Sequence, residues 1–241
     1  MEDVLQSRTL PHQCGDVTLL GELYVPEGTG PFPGVLVMPD ARGIGGLSKT
    51  SAARLARLGY VALATDPYGD GLFHGGEKSV ELQQDLDLMH ARNAAALTAL
   101  LSEPKVDSDR IGAIGYCFGG QTAFELARSG ADLKCAVSFH GLLSTTRPAR
   151  KGAIKGELLA IIGLHDPYAP PVHTEAFQAE MIAAEAHWQT TIYGNGWHQF
   201  TDPNGERDMP HVPGLRYDPL LARLSWEAAL SLLNATLKPD E

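Results

Sequence analysis

Apolar and polar positions in this chain follow two periods. Short apolar runs at residues 35–38, 60–64, 135–139 and 158–162 are bounded by Gly, Pro, Asp or charged residues, as buried strands are. Residues 17–25 and 189–193 alternate more loosely and read as half-covered strands. Between the runs, apolar residues recur at helical spacing. Residues 48–58 predict a helix with Ser48 or Thr50 as its cap and Gly59 just past its end. Leu86, Met89, Ala96, Leu97 and Leu100 predict one long helix over 80–101, and further helices are expected over 174–186 and 219–237. Strands alternating with helices imply right-handed crossovers and a mainly parallel sheet covered on both faces. The fold class is therefore α/β. Without repeats, low-complexity stretches or linkers, residues 1–241 are expected to form a single domain.

In such sheets ligands bind beyond the carboxyl ends of the strands. The loops expected there begin at Pro39, Asp66, Gly115, His140, Gly163 and Gly194. One of them stands out. Residues 110–128 run as a strand, break at Gly115 and resume as a helix, with the pattern Gly115-x-Cys117-x-Gly119 at the turn. This is a nucleophile elbow with sulfur in place of oxygen. The elbow holds its nucleophile in a strained turn where flanking side chains would strike backbone, and the N-terminus of the following helix favours a thiolate or an oxyanion. By itself the pattern also fits a small buried Cys in a tight turn.

An elbow needs an acid and a histidine later in the chain, in that order. Asp166 follows the 158–162 run and His198 follows the 189–193 run, giving Cys117, Asp166 and His198 at three strand ends. In this arrangement His198 takes the thiol proton and returns it to the leaving group, while Asp166 holds the imidazole tautomer. Oxyanion donors are expected from the backbone N–H groups of Phe118 and Ala41. Asp40, beside Ala41, is positioned in sequence to tune the resting thiol or simply to form a turn. Arg42 is the cation nearest to it in that loop. His74 and His140 are candidate pocket residues, with an ordinary polar role as the alternative.

Charge and cysteine usage narrow the function. Nineteen Lys and Arg against twenty-nine Asp and Glu give a net charge of −10, which argues against nucleic acid or an anionic membrane as the main partner. No apolar stretch is long enough to span a bilayer. Cys14, Cys117 and Cys135 make neither a disulfide framework nor a Cys-x-x-Cys pair, and the histidines show no metal-ligand spacing. No metal and no cofactor are expected. The first residues lack the basic start and apolar core of a signal peptide, so a reducing cytoplasm is the expected compartment.

Gly115-Tyr-Cys-Phe-Gly-Gly120, the stretch from Gly59 to Tyr68, Asp166-Pro167 and His198-x-Phe200 together resemble the dienelactone hydrolase (carboxymethylenebutenolidase-like) family. Phe200-Thr-Asp-Pro, Pro213-Gly-Leu-Arg-Tyr217 and Ser225-Trp226 extend the resemblance toward the final helix. It implies an α/β-hydrolase fold with little or no cap, a Cys117–Asp166–His198 triad, no cofactor, and a small ester or lactone as partner. Two departures accompany it: the founding type carries Glu at the position of Asp40, and it uses two arginines for a substrate carboxylate. One falls at Asp202 here and no arginine matches the other, which leaves Arg42, beside the expected oxyanion donor, as the nearby cation to compensate by contacting the substrate. The expected reaction is hydrolysis of an activated ester or lactone through a Cys117 acyl-thioester. A thioesterase or broad carboxylesterase on the same fold remains open, as does a non-catalytic thiol sensor or binding protein.

Overall fold

The computed structural model describes residues 6–71 and 76–238, so His74 lies outside the described residues. The elements in chain order are β1 (Gln6–Cys14), β2 (Val17–Val25), β3 (Phe32–Met38), α1 (Gly46–Arg57), β4 (Val61–Ala64), α2 (Glu77–Gln84), α3 (Leu86–Leu101), β5 (Val106–Tyr116), α4 (Phe118–Arg128), β6 (Cys135–Phe139), β7 (Glu157–Gly163), α5 (Pro171–Ala183), β8 (His187–Tyr193), α6 (Gly205–Asp208) and α7 (Pro219–Leu237). The chain packs as two compact units, one up to Ala113 and one from Ile114, with β5 running through the division.

In the first unit the strand order is β1-β2-β4-β3-β5. β1 pairs antiparallel with β2 and β2 with β4, while β3 and β4 are parallel. The apolar runs account for the core here, with Leu36, Val37, Val61 and Leu63 fully buried alongside Leu55 of α1 and Leu100 of α3. Each such side chain contributes roughly 1.5–3 kcal/mol by leaving water. Three local expectations change. α1 begins at Gly46 with Gly45 in the N-cap position, and Ser48 serves from inside the first turn, accepting from the Gly45 N–H and donating to its carbonyl. The helix expected over 80–101 is two helices, broken where the Asp85 side chain accepts the Leu88 N–H and caps α3. β1 was not legible, being polar and largely exposed.

In the second unit the order is β5-β6-β7-β8, with β6, β7 and β8 parallel. α4 is buried along its whole length, polar residues included. A helix sunk in this way needs partners for its polar groups. Arg128 supplies them, pairing with Glu125 at 3.0 Å and with Glu180 of α5 at 2.8 Å, and donating to the Leu143 carbonyl. Glu180 in turn accepts the Ala149 N–H. α5 starts at Pro171, earlier than its periodicity suggested.

Strand register sets the level at which the loops of this unit leave. Phe139 of β6 lies beside Ile161 of β7, and Gly163 of β7 beside Tyr193 of β8. The loops carrying Asp166 and His198 therefore start side by side.

Candidate active site

β5 ends at Tyr116, and Cys117 adopts φ 54 and ψ −118 before α4 begins. For a residue with a side chain this is a sparsely populated backbone, of the kind stored at functional sites. Its surroundings hold it there. The Cys117 N–H donates to the Phe139 carbonyl at 3.0 Å, and the Cys117 carbonyl accepts from Gly120 at 3.0 Å. Gly115 has no alternative, since a Cβ there would stand 1.9 Å from the Gly119 carbonyl oxygen. Cys117 occupies the N-cap position of α4 and Phe118 opens the helix, whose first turn carries no acidic residue. Cys117 therefore stands at the positive end of the helix, which no acidic residue of the first turn offsets.

Asp166 and His198 come from adjacent loops. Asp166 is almost fully buried, and its two oxygens do different work. Oδ1 accepts the N–H groups of Tyr168 and Ala169 at 2.8 and 3.2 Å, which shapes the loop. Oδ2 lies 2.7 Å from Nδ1 of His198. The other ring nitrogen, Nε2, lies 3.0 Å from the Cys117 Sγ. A carboxylate accepts, so Nδ1 carries the proton and Nε2 is the atom that exchanges one with sulfur. Burial opposes a charge on His198, but the Cys117 sulfur and the bonds to Asp166 and Cys117 outweigh it and raise its pKa to about 10.

Further side chains stand at this site, and Tyr168 among them was not singled out from sequence. The Tyr168 ring lies 4.8 Å from that of His198, and its hydroxyl donates to the Pro213 carbonyl at 3.0 Å. Burial raises the Tyr168 phenol pKa, with the charges of Cys117 and Asp166 adding to it. The 213–216 segment clamps His198, whose N–H donates to the Gly214 carbonyl at 3.1 Å and whose carbonyl accepts the Arg216 N–H at 3.0 Å. Gly214 must be glycine for two reasons, a φ of +78° and a Cβ position 2.5 Å from Pro167 Cγ. The Pro213-to-Tyr217 motif was visible in the sequence, but not what it touched. His140 is fully buried beside His198, with ring centroids 5.4 Å apart. Asp202 is buried in a turn, where Oδ1 accepts the Asn204 N–H at 2.9 Å.

The remaining candidates, Asp40, Ala41 and Arg42, belong to the first unit. Arg42 bonds Asp40 Oδ1 through both its backbone N–H and Nε, each at 2.9 Å, and its guanidinium also meets Oδ2. Both side chains are at least 95% buried, so each charge is matched by the other. The Ala41 carbonyl accepts the Tyr68 hydroxyl at 2.7 Å. Among the described residues, no group of three or more His, Cys, Asp or Glu side chains is arranged to hold a metal ion, and no helix is long and apolar enough to cross a membrane.

Comparison with known proteins adds to this geometry. The model of the dienelactone hydrolase family matches residues 19–237. A probable 2-oxo-3-(5-oxofuran-2-ylidene)propanoate lactonase from Bradyrhizobium is 29% identical over 229 residues, covering 89% of this chain and 88% of its own. Two solved structures superpose with TM-scores of 0.91. One, named m3DLH, is 38% identical and covers 97% of this chain and 99% of its own. The other, the dienelactone hydrolase-like promiscuous phosphotriesterase P91 from metagenomic libraries, is 35% identical and covers 96% of this chain and 98% of its own.

Proposed function

The chain belongs to the dienelactone hydrolase family, with an α/β-hydrolase fold and hydrolase activity on ester or lactone bonds, and from that premise we propose that it works through Cys117, His198 and Asp166 by way of an acyl-thioester. The observation that carries this reading is the continuous contact from Asp166 Oδ2 through the imidazole to Cys117 Sγ, at 2.7 and 3.0 Å.

The cycle begins with Nε2 of His198 holding the thiol proton as the sulfur attacks the carbonyl carbon. Charge developing on the carbonyl oxygen is received by the Phe118 N–H at the start of α4. The carbon–oxygen bond breaks, His198 protonates the departing alkoxide, and the acyl group remains on sulfur. Water then attacks the thioester with His198 as base, releasing the acid and restoring the thiol. A thiolate leaves as readily as it attacks, so the scheme favours lactones, enol esters and aryl esters over amides. Net, one water is consumed and one ester bond is broken.

The likeness to P91 supports a second reading, in which the same thiol attacks the phosphorus of an activated phosphotriester. The family match from residue 19 to residue 237 supports treating the chain as one functional domain. A reducing cytoplasm is the compartment this proposal calls for, because the three cysteines are free and Cys117 must stay a thiol. A panel of aryl esters, lactones, thioesters and an aryl dialkyl phosphate, run with wild type and Cys117→Ala, tests both readings. Turnover of lactones or aryl esters that disappears in Cys117→Ala is expected; turnover that survives the substitution would overturn the thiol mechanism.

A further inference from the structure

The strand end that holds the nucleophile also touches the base. Phe139, the last residue of β6, accepts the Cys117 N–H through its carbonyl. The next residue, His140, sits at φ +40° and is anchored by its own N–H to the Ile161 carbonyl at 2.7 Å. That backbone is uncommon outside glycine, so surrounding contacts must hold it. No bulk can follow it, because a Cβ on Gly141 would lie 2.9 Å from Gly120 Cα and 3.1 Å from the Cys117 carbonyl oxygen.

From this position the His140 ring reaches the base segment at two points. Its Nε2 lies 2.7 Å from Thr201 Oγ1, and its ring meets the His198 ring edge-on at 5.4 Å and 69°. Phe200 packs on it at 5.1 Å, while Tyr168 stands against His198 at 4.8 Å. A phenylalanine would fill the same volume. What a histidine adds is the bond to Thr201, and a fully buried polar ring is tolerated only with such bonding.

We propose that His140 is a positioning residue for the hydrolytic reaction: with Thr201 it fixes the His198 imidazole relative to Cys117, so that the last residue of β6 and the residue just past it index the nucleophile and the base on one another. The inference rests on the acyl-transfer reading above. Small displacements matter here, because a misplacement of about 1 Å in a reacting group costs about a hundredfold in rate. His140 touches neither substrate nor sulfur in this scheme and acts through His198.

The test is stopped-flow acylation and steady-state turnover of an aryl ester by wild type, Thr201→Val, His140→Phe and the double variant. Thr201→Val keeps shape and removes only the hydroxyl. Each single variant is expected to lower both the acylation rate and kcat about tenfold, the equivalent of one such hydrogen bond, with KM little changed. The double variant should lose no more than the worse single, since both remove one interaction. Acylation rates within about twofold of wild type in Thr201→Val, or losses that multiply in the double variant, would overturn the proposal. If His140→Phe does not fold, Thr201→Val decides alone. Failure of the wild type to acylate Cys117 would instead sink the underlying reading, which keeps the two separable.

Discussion

Gly163 and Gly196 meet backbone to backbone: a Cβ on Gly163 would lie 2.4 Å from the carbonyl carbon of Gly196. Around this contact the His165 N–H donates to the Gly196 carbonyl at 2.9 Å and the Leu164 N–H to that of Tyr193 at 2.9 Å. The loop with Asp166 and the loop with His198 are thus one locked pair, and only a missing side chain permits the approach. Gly163→Ala is expected to destabilise by about 1–3 kcal/mol, as overpacking of a filled site does. Its kcat should fall by more than that loss of folded protein explains, since both loops shift. Urea unfolding and turnover on the same preparation check this; normal kcat would show that the contact does not set the site.

His198 should remain protonated at neutral pH. Its folded pKa of about 10 exceeds the unfolded value of 6.5, so the folded state binds the proton more tightly. The stabilisation this brings is fully present below pH 6.5 and is lost as pH rises through about 10. NMR titration of the His198 ring should show no step between pH 5 and 8 in wild type. In Cys117→Ala, which removes the sulfur, the transition should move down. A wild-type transition near 6.5 would contradict this prediction.

Arg128 is expected to be a folding residue with no part in chemistry. Glu125 and Glu180 are nearly buried on either side of it. Arg128→Ala leaves both carboxylates without their shared cation and should cost about 3–5 kcal/mol, as breaking a buried pair from one side does. Arg128→Met is not a rescue, because the carboxylates remain. Chemical denaturation checks the magnitude; a loss below about 1 kcal/mol, the surface-pair range, would contradict it.

Tyr168 should act through its ring more than through its hydroxyl. Tyr168→Phe keeps the surface against His198 and loses only the bond to the Pro213 carbonyl, a change of about 0.5–1.5 kcal/mol. Tyr168→Ala uncovers the imidazole and is expected to lower kcat further, by slackening its hold between Asp166 and Cys117. Equal kcat in the two variants would assign the whole effect to the hydroxyl.

The sequence made the strands legible where burial imposes a run of apolar residues, as at Val35–Met38 within β3 and throughout β6 and β7. β1 escaped because Arg8, His12 and Gln13 leave no such run and Pro11 reads as a break. The division between α2 and α3 escaped because Asp85 ends one helix and caps the next without Gly or Pro. Cys117, Asp166 and His198 were readable as candidates because each residue type stands at a strand end beside turn-forming glycines or proline. Tyr168, Thr201 and the 213–216 clamp were not, since what matters about them is a contact across 30 or more residues of chain, or a backbone carbonyl with no sequence signature. Arg42 illustrates the converse: a cation free on paper is held by Asp40, two residues away.

The measurement that bears most directly on the account is intact-protein and peptide mass spectrometry after mixing with a slowly hydrolysed aryl ester. One acyl group is expected, mapped to Cys117, absent from Cys117→Ala and accumulating about a thousandfold more slowly in His198→Ala, as for residues that act as one catalytic unit. An acyl group found only on a serine, or Cys117→Ala turning over the ester at the wild-type rate, would contradict it.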